Sequence, residues 1–158
     1  MVRRVPLREV LSERLKMNYE ELDEAEVNQA IANILGFRFV KVDTTKVFEG
    51  KDERGKPFRI ECRWYAEFLG EDVSGYWQTR ELADEHAVIP DYAEDANEAL
   101  TLTVDEFHLE IGQRDSVRGK WVAQYMNKNA INAAVGWAET VPLAICRARL
   151  VLYDLSHI

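Results

Sequence analysis

The stretch from Thr140 to Leu152 is apolar on nearly every side of a helix, and that decides much of what this chain can fold into. Thr140 can cap a helix over about 141–153, and Pro142 is tolerated in its first turn because that amide has no helical partner. Val141, Leu143, Ala144, Ile145, Ala148, Leu150, Val151 and Leu152 then leave little polar girth, so the helix has to be buried. A sheet covers one face only. A second face needs another element of the same chain or a second copy, and symmetric dimers are the commonest oligomers, so the expectation is a homodimer. Arg147 and Arg149 must point to an edge, a partner or an anion.

Upstream, Asp23 and Glu26 have the spacing of a capping box, with Leu22 and Val27 in the flanking staple positions. Val27, Ala30, Ile31, Ile34 and Leu35 form one apolar face and Gly36 is a stop, which predicts a helix over about 24–35. Phe37–Val42 is expected as a strand. Val47–Gly50 and Pro57–Tyr65 are expected as a hairpin around Asp52-Glu53-Arg54-Gly55-Lys56. In the second arm Phe58, Ile60, Cys62 and Trp64 alternate with polar neighbours, so Cys62 falls on the apolar face as a buried structural thiol. Residues 66–91 lack a pattern and are expected as a long loop. A second helix is expected over about 94–106. A second hairpin then joins Phe107–Gln113 to Lys120–Asn127, with Trp121, Ala123 and Tyr125 on one face and His108 on a surface. The fold class expected is α+β, an antiparallel or mixed sheet of about five strands flanked by helices as an α/β sandwich. Residues 17–158 would form a single domain, of ordinary size for one.

Residues 1–16 differ from the rest. Arg3, Arg4, Arg8, Arg14 and Lys16 outweigh Glu9 and Glu13 there, in a chain whose formal net charge is −8. Leu7, Val10, Leu11 and Leu15 predict a short amphipathic helix, an extension that packs on its own domain or precedes a second start at Met17. The acidic balance disfavours long nucleic acid, because phosphates are repelled. No apolar run approaches a membrane span and no signal peptide is visible, so the cytoplasm is the expected location and no membrane partner is expected. Cys62 and Cys146 make neither a disulfide framework nor a zinc site, and His86, His108 and His157 lack metal-ligand spacing. No cofactor is expected.

Three stretches carry a family resemblance: Ile89-Pro90-Asp91-Tyr92 with Asp95 and Ala99; Lys120-Trp121-Val122-Ala123; and Ala138 through Leu150. The helix opening Leu22-Asp23-Glu24-Ala25-Glu26-Val27-Asn28 is similar too. Together they resemble the phage ABA sandwich domain, a family of bacteriophage and prophage accessory proteins, over about residues 17–155. The resemblance implies a sheet flanked by helices and a phage origin, and it supplies no reaction. Ala93 departs from it, since a hydroxyl residue would cap the next helix there; Asp95 takes that role instead and the helix starts later.

No glycine-rich phosphate loop, nucleophile elbow, Cys-x-x-Cys or His-Glu-x-x-His is present, so no catalytic residue and no metal ligand is assigned. What remains is a binding surface. Trp77, Arg114, Arg118, Lys120 and Arg147 are the candidate ligand-binding residues, since aromatics and arginines suit a stacked base and a phosphate. The leading expectation is a non-enzymatic phage accessory protein acting in the host cell, in counter-defence, by binding a small nucleotide signal or a host protein. The alternatives are a purely structural interaction module and a nucleotide hydrolase. The hydrolase would rest on the carboxylate-rich stretch 81–98 with His86, and requires His86 to converge with two of Asp84, Glu85, Asp91 and Asp95.

Overall fold

A computed structural model describes residues 19–129 and 132–157. The amphipathic segment expected over 6–16 lies outside the described residues. The rest is α+β, and it divides into two compact units, 35–89 and 19–34 with 90–157. The strands form two three-stranded antiparallel sheets rather than one sheet of about five. The single-sheet expectation fails because each hairpin acquires its third strand locally, from a segment whose pattern is weak.

The first unit opens at Leu35 and Gly36, whose φ of +95° marks the end of the preceding helix. Strand β1 (Arg38–Lys51) pairs with β2 (Pro57–Phe68). The turn between them closes as its residues dictate. The Asp52 carboxylate accepts the amides of Arg54 and Lys56 at 2.9 Å each, and Gly55 takes a φ of +75°. Leu69 and Gly70, both at positive φ, reverse the chain into the two-residue β3 (Glu71–Asp72). The expected loop at 66–91 contains a helix, α2 (Arg80–His86), which packs on β2 and β1. Its start is capped by Thr79, whose hydroxyl accepts the Leu82 amide at 3.2 Å. Phe37, Cys62, Ala66, Phe68 and Ala83 are the buried residues of this unit.

The second unit opens on a short turn at Tyr19–Glu21 and α1 (Glu24–Ile34). The capping box forms: the Glu26 amide donates to Asp23 at 2.8 Å, and the Asp23 amide to Glu26 at 3.3 Å. Asn28 then binds the incoming 91–93 segment from both ends of its amide. It donates to the Asp91 carboxylate at 2.7 Å and accepts the Ala93 amide at 2.8 Å. The next helix is α3 (Ala96–Ala99), four residues long, where a helix over 94–106 was expected. Asp95 caps it, accepting the amides of Asn97 and Glu98. It stops because Thr101 turns its hydroxyl back to the Glu98 carbonyl and Leu102 gives its carbonyl to the buried Tyr125 hydroxyl.

Strands β4 (Phe107–Gln113), β5 (Trp121–Asn127) and β6 (Asn132–Ala138) follow in spatial order. The closing helix α4 (Val141–Ser156) packs on β5 and β6 with one face, while α1, α3 and the Tyr19–Glu21 turn cover it elsewhere. The chain thus supplies a second cover for this helix itself. Sheet-to-helix approach depends on Ala134, Gly136 and Ala138, which alternate as the buried positions of β6. Cys146 is fully buried, and desolvation pushes its thiol up to about 12.

Glu94 stands beside the carboxylates of Glu24 and Asp91 in this unit. A hydrogen bond and the charge of Glu24, followed by the charge and hydrogen bond of Asp91, push its carboxyl from 4.5 up to about 7. Between those pH values the folded chain holds more protons than the unfolded one. The associated stability is present below pH 4.5 and is lost as pH rises through about 7. Glu94→Gln is expected to flatten the melting temperature between pH 5 and 8 and to raise it at pH 8. The group is exposed, so 0.5 M salt should shrink the difference. Parallel pH profiles for the variant and the parent would refute the raised carboxyl.

Candidate functional site

The hairpin of the first unit projects an arm. Over its outer half, Lys46 faces Cys62, Phe48 faces Ile60 and Gly50 faces Phe58, so these six residues share one side. Among the described residues the arm has two strands, and Phe48 and Phe58 stay 48% and 41% exposed. At the base of the arm the strict alternation expected from 58 to 64 breaks. The amides of Arg63 and Trp64 both donate to the Trp77 carbonyl at 3.0 Å, and the β1 register jumps between Lys41 and Lys46. Two donors on one acceptor mark a bulge, which re-aims the side chains beyond it.

The same contact fixes Tyr76 and Trp77 beside β2. The Trp77 amide returns a bond to the Trp64 carbonyl at 2.7 Å, and its indole N–H donates to the Ser74 carbonyl at 2.7 Å. Asp72 holds the turn before them by accepting the amides of Ser74 and Gly75. The result is an open cleft of about 210 Å³ lined by Phe48, Ile60, Cys62, Tyr76, Trp77 and Gln78. The Lys46 ammonium lies 5.3 Å from the centroid of the Tyr76 ring. Cys62 is only 3% exposed and burial raises its thiol, so it stands as an apolar wall and not as a thiolate nucleophile.

Compared with protein-family models, curated proteins and solved structures, the chain matches none of them.

Of the residues singled out from sequence, Trp77 lines this cleft and the four cations belong to the second unit. Arg114, Arg118 and Lys120 are exposed around the β4–β5 turn, which the Arg114 amide closes on the Lys120 carbonyl at 2.8 Å. Arg118 is spent on its own chain. Its Nε and Nη2 meet one Glu20 oxygen at 2.9 and 2.8 Å, and its guanidinium lies 5.8 Å from the Trp137 ring. Arg147 donates to the carbonyls of Trp137, at 2.8 Å, and Glu20, at 3.1 Å; burial lowers its pKa and Glu20 pulls it back. Arg118 and Arg147 thus clamp the Tyr19–Glu21 turn onto the helix and sheet. They do not open a cationic pocket.

Three of the residues that a hydrolase would draw on are engaged within their own units. His86 stacks on Trp77 with centroids 3.7 Å apart, and its Nδ1 stands 2.9 Å from the Leu82 carbonyl. Asp91 is held by Asn28, and Asp95 caps α3. Among the described residues no group of three or more His, Cys, Asp and Glu is placed to hold a metal ion. Also among the described residues, no helix is long and apolar enough to cross a membrane.

Sequence reasoning missed Lys46, Phe48, Ile60, Tyr76 and Gln78 as one site. The alternation of the arm was a signal for Phe48 and Ile60. Nothing local announces that Tyr76 and Trp77 lie beside them.

Proposed function

We propose that this chain is a non-catalytic binding protein of phage or prophage origin, a member of the ABA sandwich family. It acts in the cytoplasm of the host, in counter-defence, by docking on a host protein. The family reading rests on the resemblance at 89–95, 120–123 and 138–150. The docking reading rests on one observation, the size and setting of the cleft. At about 210 Å³ it falls below the roughly 300–1,000 Å³ of pockets that enclose a small ligand. It admits one large side chain and continues into the exposed rings of Phe48 and Phe58. An exposed apolar strip of that kind marks a protein contact. This favours the host protein over the nucleotide signal, since two of the cations that would hold a phosphate, Arg118 and Arg147, are clamping backbone and Glu20.

The test compares the full chain with its Phe48→Asp variant. The parent should retain a defined host protein at fixed stoichiometry, and the variant should release it while keeping its far-ultraviolet dichroism. Calorimetry against a nucleotide panel should show no heat. A one-to-one nucleotide complex of micromolar affinity, or turnover of any substrate, would overturn the reading.

A further inference from the structure

The charge pattern of the arm specifies what enters the cleft. Among Lys46, Phe48, Gly50, Phe58, Ile60 and Cys62, the side that carries the exposed rings, the only charge is Lys46. On the strands of the outer arm the carboxylates, Glu49 and Glu61, are set on the opposite side with Arg59 and Lys51, and Asp52 and Glu53 lie in the turn at the tip. In a chain of net charge −8 the six residues of the apolar strip therefore carry one cation and no anion. That ammonium is exposed, rests against the Tyr76 ring and makes no ion pair among the described residues.

Resting on the docking reading above, we infer that the cleft takes an apolar side chain flanked by carboxylates, from an acidic segment of a partner protein. The large side chain enters against Phe48, Ile60 and Trp77, and a neighbouring carboxylate meets Lys46 where Tyr76 already orients the ammonium. A lysine in the flanking position would instead be brought against Lys46 next to apolar walls, where like charges repel most. A second copy of this chain offers no carboxylate on the same strip to meet Lys46.

Fluorescence anisotropy on the full chain tests this with three labelled octapeptides. One has a central Phe flanked by Asp, one has the Phe flanked by Lys, and one has the Asp flanks with Ser in place of Phe. The Asp-flanked Phe peptide is expected to bind at least ten-fold more tightly than the Lys-flanked one, and the Ser peptide to lose binding. Lys46→Glu should reverse the charge preference, and Phe48→Asp should remove binding of both Phe peptides. Both positions are exposed, so dichroism should show an unchanged fold. Equal affinity for the two Phe peptides, abolished by Phe48→Asp, overturns the acidic preference and leaves the docking reading standing. Failure of every peptide to bind at millimolar concentration overturns both. A mass that doubles with concentration and reverts in Phe48→Asp places a second copy in the cleft and overturns the inference.

Discussion

Replacing Gly136 with alanine is expected to unfold the second unit near physiological temperature. An added Cβ would stand 2.3 Å from the Ala148 nitrogen and 2.4 Å from the Ala144 carbonyl oxygen. Both are backbone atoms of α4, so no side chain can swing aside. Helix and sheet must separate across the face that buries Ala144, Ile145 and Ala148. Overpacking of this kind costs about 3 kcal/mol or more, and the melting temperature should fall by roughly 10 °C or more. Gly112→Ala is the matched control. It too lies in a strand, but its Cβ would meet only Val122 Cγ1, at an ordinary 3.6 Å. Thermal melts by dichroism separate the two, and similar midpoints for both variants would show that the helix does not sit as tightly as described.

Ile145→Ala is expected to cost about 2–5 kcal/mol. Ile145 is 0% exposed and lies on α4, which packs on β5, β6 and α1. Truncation removes the transfer energy of the lost carbons and leaves a cavity whose walls are held from several sides. Ile111→Ala, on β4 and 39% exposed, should cost less than about 1 kcal/mol because water already reaches the site. Urea unfolding read by tryptophan fluorescence provides the midpoints. A loss at Ile145 no larger than that at Ile111 would contradict the packing of α4.

What the sequence disclosed follows from where each signal resides. The capping box at Asp23 and Glu26, the Asp52–Lys56 turn and the pairing of β4 with β5 are local, and they formed as expected, though Val122 is buried beside Ala123 and Ile111 is exposed, so the strict alternation did not. α4 was legible from its girth of apolar residues, though it runs on to Ser156. β6 was missed because its buried side is Ala134, Gly136 and Ala138, residues chosen for close approach that carry little strand propensity. α2 is short, and its cap at Thr79 stood within a stretch rich in glycine and carboxylates. The overlong helix at 94–106 had good spacing, but Tyr125, more than twenty positions downstream, takes the Leu102 carbonyl. The cleft was the least legible feature. Trp77 was marked for its chemistry, while the walls around it depend on a bulge at Arg63 and Trp64 that no periodicity encodes. The arginine cluster misled for a related reason: Arg118 and Arg147 share Glu20, about a hundred or more residues away in the chain.

The second unit is written in two pieces, 19–34 and 90–157, with the whole of 35–89 between them. Every strand pairing of the first unit, including the Trp64–Trp77 bridge, lies within that uninterrupted stretch. During synthesis the inserted stretch emerges with all its pairing partners, whereas α1 must wait for α4, more than a hundred residues later. Closing a longer loop costs little extra, about 0.6 kcal/mol per doubling of its length. The Asn28 clasp on residues 91 and 93 joins the two pieces on either side of that insert, so a longer insert would add little to what the second unit must overcome to close.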